Sequence, residues 1–469
     1  MINIVLSTKT DNKDVKTMKS ENIILLICTI LSFFTVFAFN GVMIVIPSIA
    51  EEYAMNNIAQ NWVTIIFLLI VAIISVPAGQ IAGKYGLKKI TIINITLFLI
   101  TSLINIFAAS TEIFLLCRLI LGITNAFINV TSMAMVVSAF QPQNRGKALG
   151  INITGVYLGL SFSPVISGIL NYHFGWRSVI LFPIPFLFIV LILLLTKVDD
   201  EWITFKDVPL DFKGSFIYGI GILLFIYGFT ILNRTTGIIL TVTGILILIL
   251  FAYTELKSTH PVFNIRFFKN REFSAANFAS LSAYLATFAV VTILNYHLQY
   301  IKGYDSQLSG IILIIAPICQ VIIAPVAGKL SDKYTPQILA AIGMTLGTVS
   351  LILFSFLNTD SSLIFLVAAM IIYGVGFGLF SPPNTNVIMG SVPPTDTSIA
   401  SASVAVMRTL GQTMSMGILT LVFAFIMGNV PIIPAYYPLL ILSSQITCLI
   451  CIVLCIASVF ASFVGVKSK

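Results

Sequence analysis

Arg118 is the residue of this sequence that most needs a chemical explanation, because it is the one charged group in a long apolar run, 113–138. A guanidinium keeps its proton, and placing it inside a membrane span costs roughly 2.5–3.5 kcal/mol on insertion scales, so it must face the interior of a helix bundle. Gly122, Asn125 and Asn129 follow at +4, +7 and +11, which puts a gap and two amides on the same helical stripe as the charge. That stripe reads in two ways: as the polar wall of a cavity that recognises a solute, or as hydrogen-bonding glue between helices. Arg408 with Gln412 one turn later, in the run 399–427, poses the same alternative. Asn40 and the other amides inside apolar runs (Asn105, Asn277, Gln320, Asn384 and Gln445) could contact a solute or cross-link helices.

Other chemistries lack their residues. Cysteines 28, 117, 319, 448, 451 and 455 all lie in apolar runs; Cys448, Cys451 and Cys455 share a helix face without a His or carboxylate, so neither a metal site nor disulfides are expected. The three histidines are scattered, and His297, the one in an apolar run, reads as an interfacial residue rather than a proton carrier. None of the 17 acids lies well inside an apolar run. No catalytic constellation forms, no G-x-x-x-x-G-K-[ST] phosphate loop is present, and nothing calls for a cofactor. The chain is not read as an enzyme.

The setting for these residues follows from composition. With 58% apolar and only 9% charged residues, the 469-residue chain lacks the polar surface of a water-soluble fold, whose charged share is about 25%. Lipid must be its solvent. The net charge of +8 does not mark a nucleic-acid binder, since the basic residues are dispersed among short loops.

Apolar runs bounded by loop signals predict fourteen spans: 22–48, 60–82, 89–109, 113–138, 148–170, 178–196, 214–233, 235–254, 274–299, 307–328, 337–357, 362–389, 399–427 and 437–464. An even count places both termini on one side. Twenty Lys and Arg fall on that side and three, Arg177, Arg234 and Lys302, on the other, with Arg118 and Arg408 inside spans. By the positive-inside rule both termini are cytoplasmic, and residues 1–21 read as a solvated tail without the features of a cleaved signal peptide.

The chain also repeats itself. Pro77-Ala78-Gly79-Gln80 after the second span resembles Pro325-Val326-Ala327-Gly328 after the tenth, and each is followed by Lys and Tyr. Two related halves around a midplane cavity are the usual build of secondary transporters. Gly79 and Gly83, at i and i+4, bare one helix face for a close neighbour, with Lys84 and Lys88 beside it. Gly159, Pro164 and Gly168 thin and bend the fifth span.

With these motifs in order, the sequence resembles the major facilitator superfamily, and within it the fourteen-span drug:proton antiporters of the multidrug-exporter type. The G-x-x-x-D-[RK]-x-G-x-[RK] pattern is met by Gly79, Lys84, Gly86 and Lys88, with Gly83 in the acid's place; Gly328, Asp332 and Lys333 form the second copy. Arg118 and Gly122 match the buried R-x-x-x-G, and Gly159, Pro164 and Gly168 match the antiporter signature of the fifth helix. Asp211-Phe212-Lys213-Gly214, His260-Pro261-Val262-Phe263 and Arg408-Thr409-Leu410-Gly411 point to the fourteen-span branch. Ala38 stands where relatives commonly carry an acid in the first span.

The resemblance implies an all-α polytopic membrane protein with two pseudo-symmetric six-helix bundles and two inserted helices. The boundaries are a tail 1–21, a bundle 22–196, an inserted pair with its flanking loops 197–273, a bundle 274–464 and a tail 465–469. It further implies a monomeric multi-pass transporter of the cell membrane that exports small lipophilic, drug-like compounds by alternating access, in exchange for protons. Two alternatives stay open: a facilitator or anion-linked exporter without proton coupling, and a scaffold or sensor that has lost transport.

Overall fold

The computed structural model describes the backbone of residues 2–203, 210–258, 265–392 and 397–464, and the side chains of these except at 2–20, 142–147, 149, 332, 397–399 and 401–402. Among the described residues fourteen helices are long and apolar enough to cross a membrane. They are α1 (Glu21–Glu52), α2 (Asn57–Tyr85), α3 (Leu87–Ile106), α4 (Thr111–Ala139), α5 (Gly150–Phe174), α6 (Arg177–Lys197) and α7 (Phe212–Thr230). The others are α8 (Thr235–Lys257), α9 (Arg271–Ile301), α10 (Ser306–Ser331), α11 (Pro336–Ser355), α12 (Leu363–Gly390), α13 (Ser403–Ile426) and α14 (Pro434–Phe463).

Local sequence sets the ends. Ser110, Asp211, Asp305 and Ser362 each cap a helix by accepting a hydrogen bond from the N–H three residues on, satisfying donors that a helix start leaves free. Gly86 alone separates α2 from α3; its φ of +103° is one that side chains avoid, and Glu201 fills the space a Cβ would take. The segment expected as a tail is continuous with α1, whose helix runs from Ile2 to Glu52. The helix containing α5 begins at Pro142, ahead of the apolar run, because Pro suits a first helical position. The last turn of α9, His297–Ile301, is wound as a π-helix.

Each half repeats one neighbour pattern: the first helix packs on the fifth, the second on the fourth, and the third on the fourth and sixth. Thus α1 meets α5 as α9 meets α13, and α2 meets α4 as α10 meets α12. The halves join reciprocally, α2 with α13 and α5 with α10. The pair α7 and α8 packs on itself so closely that a Cβ at Gly244 would lie 2.4 Å from the Phe225 nitrogen, and it leans on α2 and α13. Tyr218 of α7 donates to the Ala72 carbonyl of α2 at 3.2 Å. Residues such as Ile239, Leu246 and Ile249 on α8 are more than half exposed, an apolar surface that suits lipid rather than water.

Candidate functional site

Arg118 is 1% exposed, so α4 carries it into the interior of the first half. Its Nε donates to the Val63 carbonyl at 3.3 Å, and its guanidinium lies 4.5 Å from the centroid of the Phe67 ring. Gly122, one turn on, explains how α2 comes so near: a Cβ there would be 2.9 Å from the Phe67 carbonyl oxygen. Phe67 stacks on Phe39 of α1, centroids 4.9 Å apart, and Phe39 stacks at 6.1 Å on Phe288 of α9. A column of one cation and three rings therefore runs from inside the first half to the second, its members attracted by quadrupole and dispersion forces.

The rest of the stripe turns elsewhere. Asn125 is buried and donates to the Thr35 carbonyl of α1 at 3.2 Å, while Asn129, exposed, donates to Asn125 Oδ1 at 2.6 Å. The Thr35 hydroxyl returns to Asn129 Oδ1 at 3.4 Å, closing a three-residue ring between α1 and α4. Asn40 is half-buried and donates to its own helix at Val36. Asn125 and Asn129 are thus brought together, apart from Arg118.

In the second half Arg408 is exposed about three turns into the helix Thr397–Ile426, where a charge facing lipid would be expensive. It and Tyr284 of α9 are near enough to Tyr157, on α5 of the other half, to act on it electrostatically. Tyr284 meets Phe377 edge-on at 5.2 Å, and Gly411 lets α13 approach its Cβ to 2.8 Å from the place of an added Cβ. Gln412 is half-buried. Sequence reasoning missed Tyr157 and Tyr284. The signal for Tyr157 was its place between Gly155 and Gly159, both pressed on α1, which turns it away from that contact.

At the end of the bundle away from the termini the halves are latched. Asn295 and Gln299 of α9 donate to the carbonyls of Met43 and Ile44 on α1, both at 2.9 and 2.8 Å respectively. Tyr296 and Tyr300 donate to Asn61 and Gln60 of α2, and Asn57 donates to the Gly428 carbonyl at 2.9 Å. His297 is buried within the same turn of α9. Pro164 and Gly168 make the α5–α10 crossing: a Cβ at Gly168 would lie 2.3 Å from the Ser306 carbonyl oxygen, and one at Gly310 would lie 2.2 Å from that of Pro164. Gly159 packs instead on Phe33 of α1.

The repeated glycine motifs occupy the opposite end. Gly79 has no atom closer than 3.9 Å to an added Cβ and Gly328 none within 4 Å, so neither is in a tight crossing in this conformation. Gly83 is buried, Lys84 half-buried and Lys333 exposed, while the Asp332 side chain lies outside the described residues. Lys88 donates through Nζ to the Val198 carbonyl, and Glu201 accepts from the backbone N–H of Lys88 and Lys89 at 2.9 and 3.1 Å. The first turn of α3 has no acid of its own, so Glu201, which the sequence did not single out, supplies that capping charge from the loop after α6.

Residues 25–416 match the family description Major Facilitator Superfamily. The chain belongs to this superfamily. Among curated proteins it is 28% identical over 417 residues to the riboflavin transporter RibZ of Clostridioides difficile, covering 87% of this chain and 89% of that one. It is 24% identical to the multidrug resistance protein Stp of Mycobacterium tuberculosis, covering 87% and 77% of the two. To the multidrug efflux pump LfrA of Mycolicibacterium smegmatis it is 22% identical, covering 82% and 78%. A solved structure, that of a bacterial homologue of the human lysosomal transporter Spinster, superposes with a TM-score of 0.72 at 14% identity, covering 95% of this chain and 97% of that one, which establishes the fold. The superfamily's build of two related halves accounts for the repeated neighbour pattern and the reciprocal α2–α13 and α5–α10 joints.

Proposed function

We propose that this transporter exports small, lipophilic, ring-bearing compounds of neutral or anionic charge across the cell membrane, by alternating access and in exchange for protons. The observation that carries the substrate class is the nearness of Arg408 and Tyr284 to Tyr157 of the other half, with Phe377 edge-on to Tyr284. Flat rings stack on aromatic faces, and an exposed guanidinium inside a span attracts negative charge and repels cations. The names of relatives agree in kind: one is a riboflavin transporter, a carrier of a planar ring system, and others are multidrug resistance proteins.

In this reading Asn40, Asn129, Arg408 and Gln412 line the solute path, Asn125 braces its wall, and Arg118 stands behind it at the head of the aromatic column. Gly159, Pro164 and Gly168 let α5 rock. Gly79, Gly83, Lys84, Gly86 and Lys88, with Gly328, Asp332 and Lys333, form the gate that closes when the latch at the other end opens. The basic bias toward the termini supports a cytoplasmic position for them, and the latched end is then the extracellular one.

One observation favours a second reading, a facilitator without proton coupling. Among the described residues no Asp or Glu lies more than about one turn inside a span, the deepest being Glu255 near the end of α8. Proton coupling usually employs such a group.

Purified protein in liposomes, supplied with neutral, anionic and cationic fluorescent lipophiles with and without a pH gradient, distinguishes the two. Gradient-driven movement of the neutral and anionic dyes is expected. Movement indifferent to the gradient would establish the facilitator, and no protein-dependent movement of any dye would overturn both.

A further inference from the structure

Among the buried polar atoms of the first half that have no protein partner among the described residues are Nη2 of Arg118 and both Oδ1 and Nδ2 of Asn105. Their residues are 1% and 0% exposed. Both residues line one small cavity between α1, α2, α3, α4 and α6, whose walls include Ala38, Phe67, Phe98, Ser102, Asn105 and Arg118. It has room for about one water-sized sphere.

The charge balance of this cavity is one-sided. An arginine cannot shed its proton in a protein, so a full positive charge is present. Its protein contacts are the Val63 carbonyl and the face of Phe67, both neutral, and no Asp or Glu lines the cavity. A buried charge without a counter-charge is among the costliest arrangements in a low-dielectric interior, and its usual resolution is an opposite charge within hydrogen-bonding reach. Water would satisfy the amide of Asn105 and leave the charge unbalanced.

We propose that this cavity, widened by a few tenths of an ångström as its side chains give, is a binding site for a small monovalent anion of halide size, chloride being the abundant one, held by Arg118 and the amide of Asn105 with Ser102 on the same wall. The volume excludes a drug-sized solute, so the site is separate from the solute path and stands or falls independently of the substrate reading. The anion acts as an exchangeable counter-charge where the chain offers Ala38 instead of a carboxylate.

The test uses the full chain, purified in detergent and exchanged into sodium gluconate, with sodium chloride or bromide titrated in at constant ionic strength and melting followed by intrinsic fluorescence. Chloride and bromide are expected to raise the melting temperature saturably, by about 2 °C or more, while sulfate, too large for the cavity, does not. Ala38→Asp places a tethered carboxylate on the cavity wall, and the expected result is a protein that melts in gluconate as the parent does in chloride and no longer responds to halide. Equal melting of the parent chain in chloride and gluconate would overturn the proposal, as would an Ala38→Asp protein with an undiminished chloride response. Because Ala38→Asp supplies a partner to Arg118 rather than removing one, the result does not depend on a variant that fails to fold.

Discussion

Phe39 of α1 and Phe288 of α9 face each other across the boundary between the halves, centroids 6.1 Å apart and planes within 15° of parallel. With Phe67 and Arg118 behind Phe39, this pair joins the interior of one half to the surface of the other. An aromatic pair contributes about 0.5–1.5 kcal/mol beyond burial, so Phe288→Ala should raise the population with the latched end open by up to roughly tenfold. Spin labels on the exposed Glu112, in the first turn of α4, and the exposed Asp360, in the loop before α12, would report the change as a shift toward longer distances.

Gly168 and Gly310 predict a stronger effect, because what an added Cβ meets there is backbone at 2.3 and 2.2 Å. Overpacking of this kind costs about 1–3 kcal/mol, roughly 5- to 150-fold in an equilibrium. Gly168→Ala should therefore disfavour the latched conformation and depress flux by a comparable factor, whereas Gly328→Ala, with open space around it, leaves this conformation undisturbed. Flux in liposomes, normalised to the amount of inserted protein, compares the two.

Arg408→Ala should discriminate among solutes rather than abolish transport. Loss of a charged hydrogen-bonding partner is worth about 1.5–3 kcal/mol, so transport of anionic dyes should fall roughly tenfold or more while neutral dyes are little affected. Arg408→Lys should recover part of the anionic transport but not all, since an ammonium lacks the planar fork and the stacking surface. The ratio of anionic to neutral flux is the readout.

Glu52 and Arg177 clamp the latched end of the first half. Arg177 forks onto both carboxylate oxygens at 2.7 and 2.5 Å, donates through Nε to the Ile106 carbonyl, and lies over Trp176, whose Nε1 also donates to Glu52. The two side chains are 41% and 39% exposed, so solvent screens the pair. Glu52→Gln should destabilise the protein by only about 0.2–1 kcal/mol, with the difference shrinking in high salt. Melting at low and high ionic strength checks this.

The helices were legible in the sequence because a span leaves a long apolar run whose length the bilayer dictates. The predicted 113–138 and 362–389 correspond to Thr111–Ala139 and Leu363–Gly390. Ends were less legible where a helix outruns its apolar stretch, as at Glu52, which is held by Trp176 and Arg177 rather than by lipid. The polar stripe from Arg118 to Asn129 was legible as a stripe. Its division into a buried cation and an α1–α4 ring was not, since that depends on Thr35 and Phe67 arriving from other helices. The latch was hidden for the same reason: Asn57, Asn295 and Gln299 look like any amides near a helix end, and their partners are main-chain carbonyls of the opposite half.

Solute counterflow tests the central claim most directly, because it needs no driving gradient and reports a carrier that exposes one site alternately to two sides. Liposomes containing the protein are loaded with an unlabelled neutral lipophile and diluted into a trace of the same compound carrying a fluorescent or radioactive label. The account predicts transient accumulation of label above equilibrium, diminished in Gly168→Ala and absent from protein-free vesicles. Label that only equilibrates, at the same rate with and without protein, would contradict transport by alternating access between these two halves.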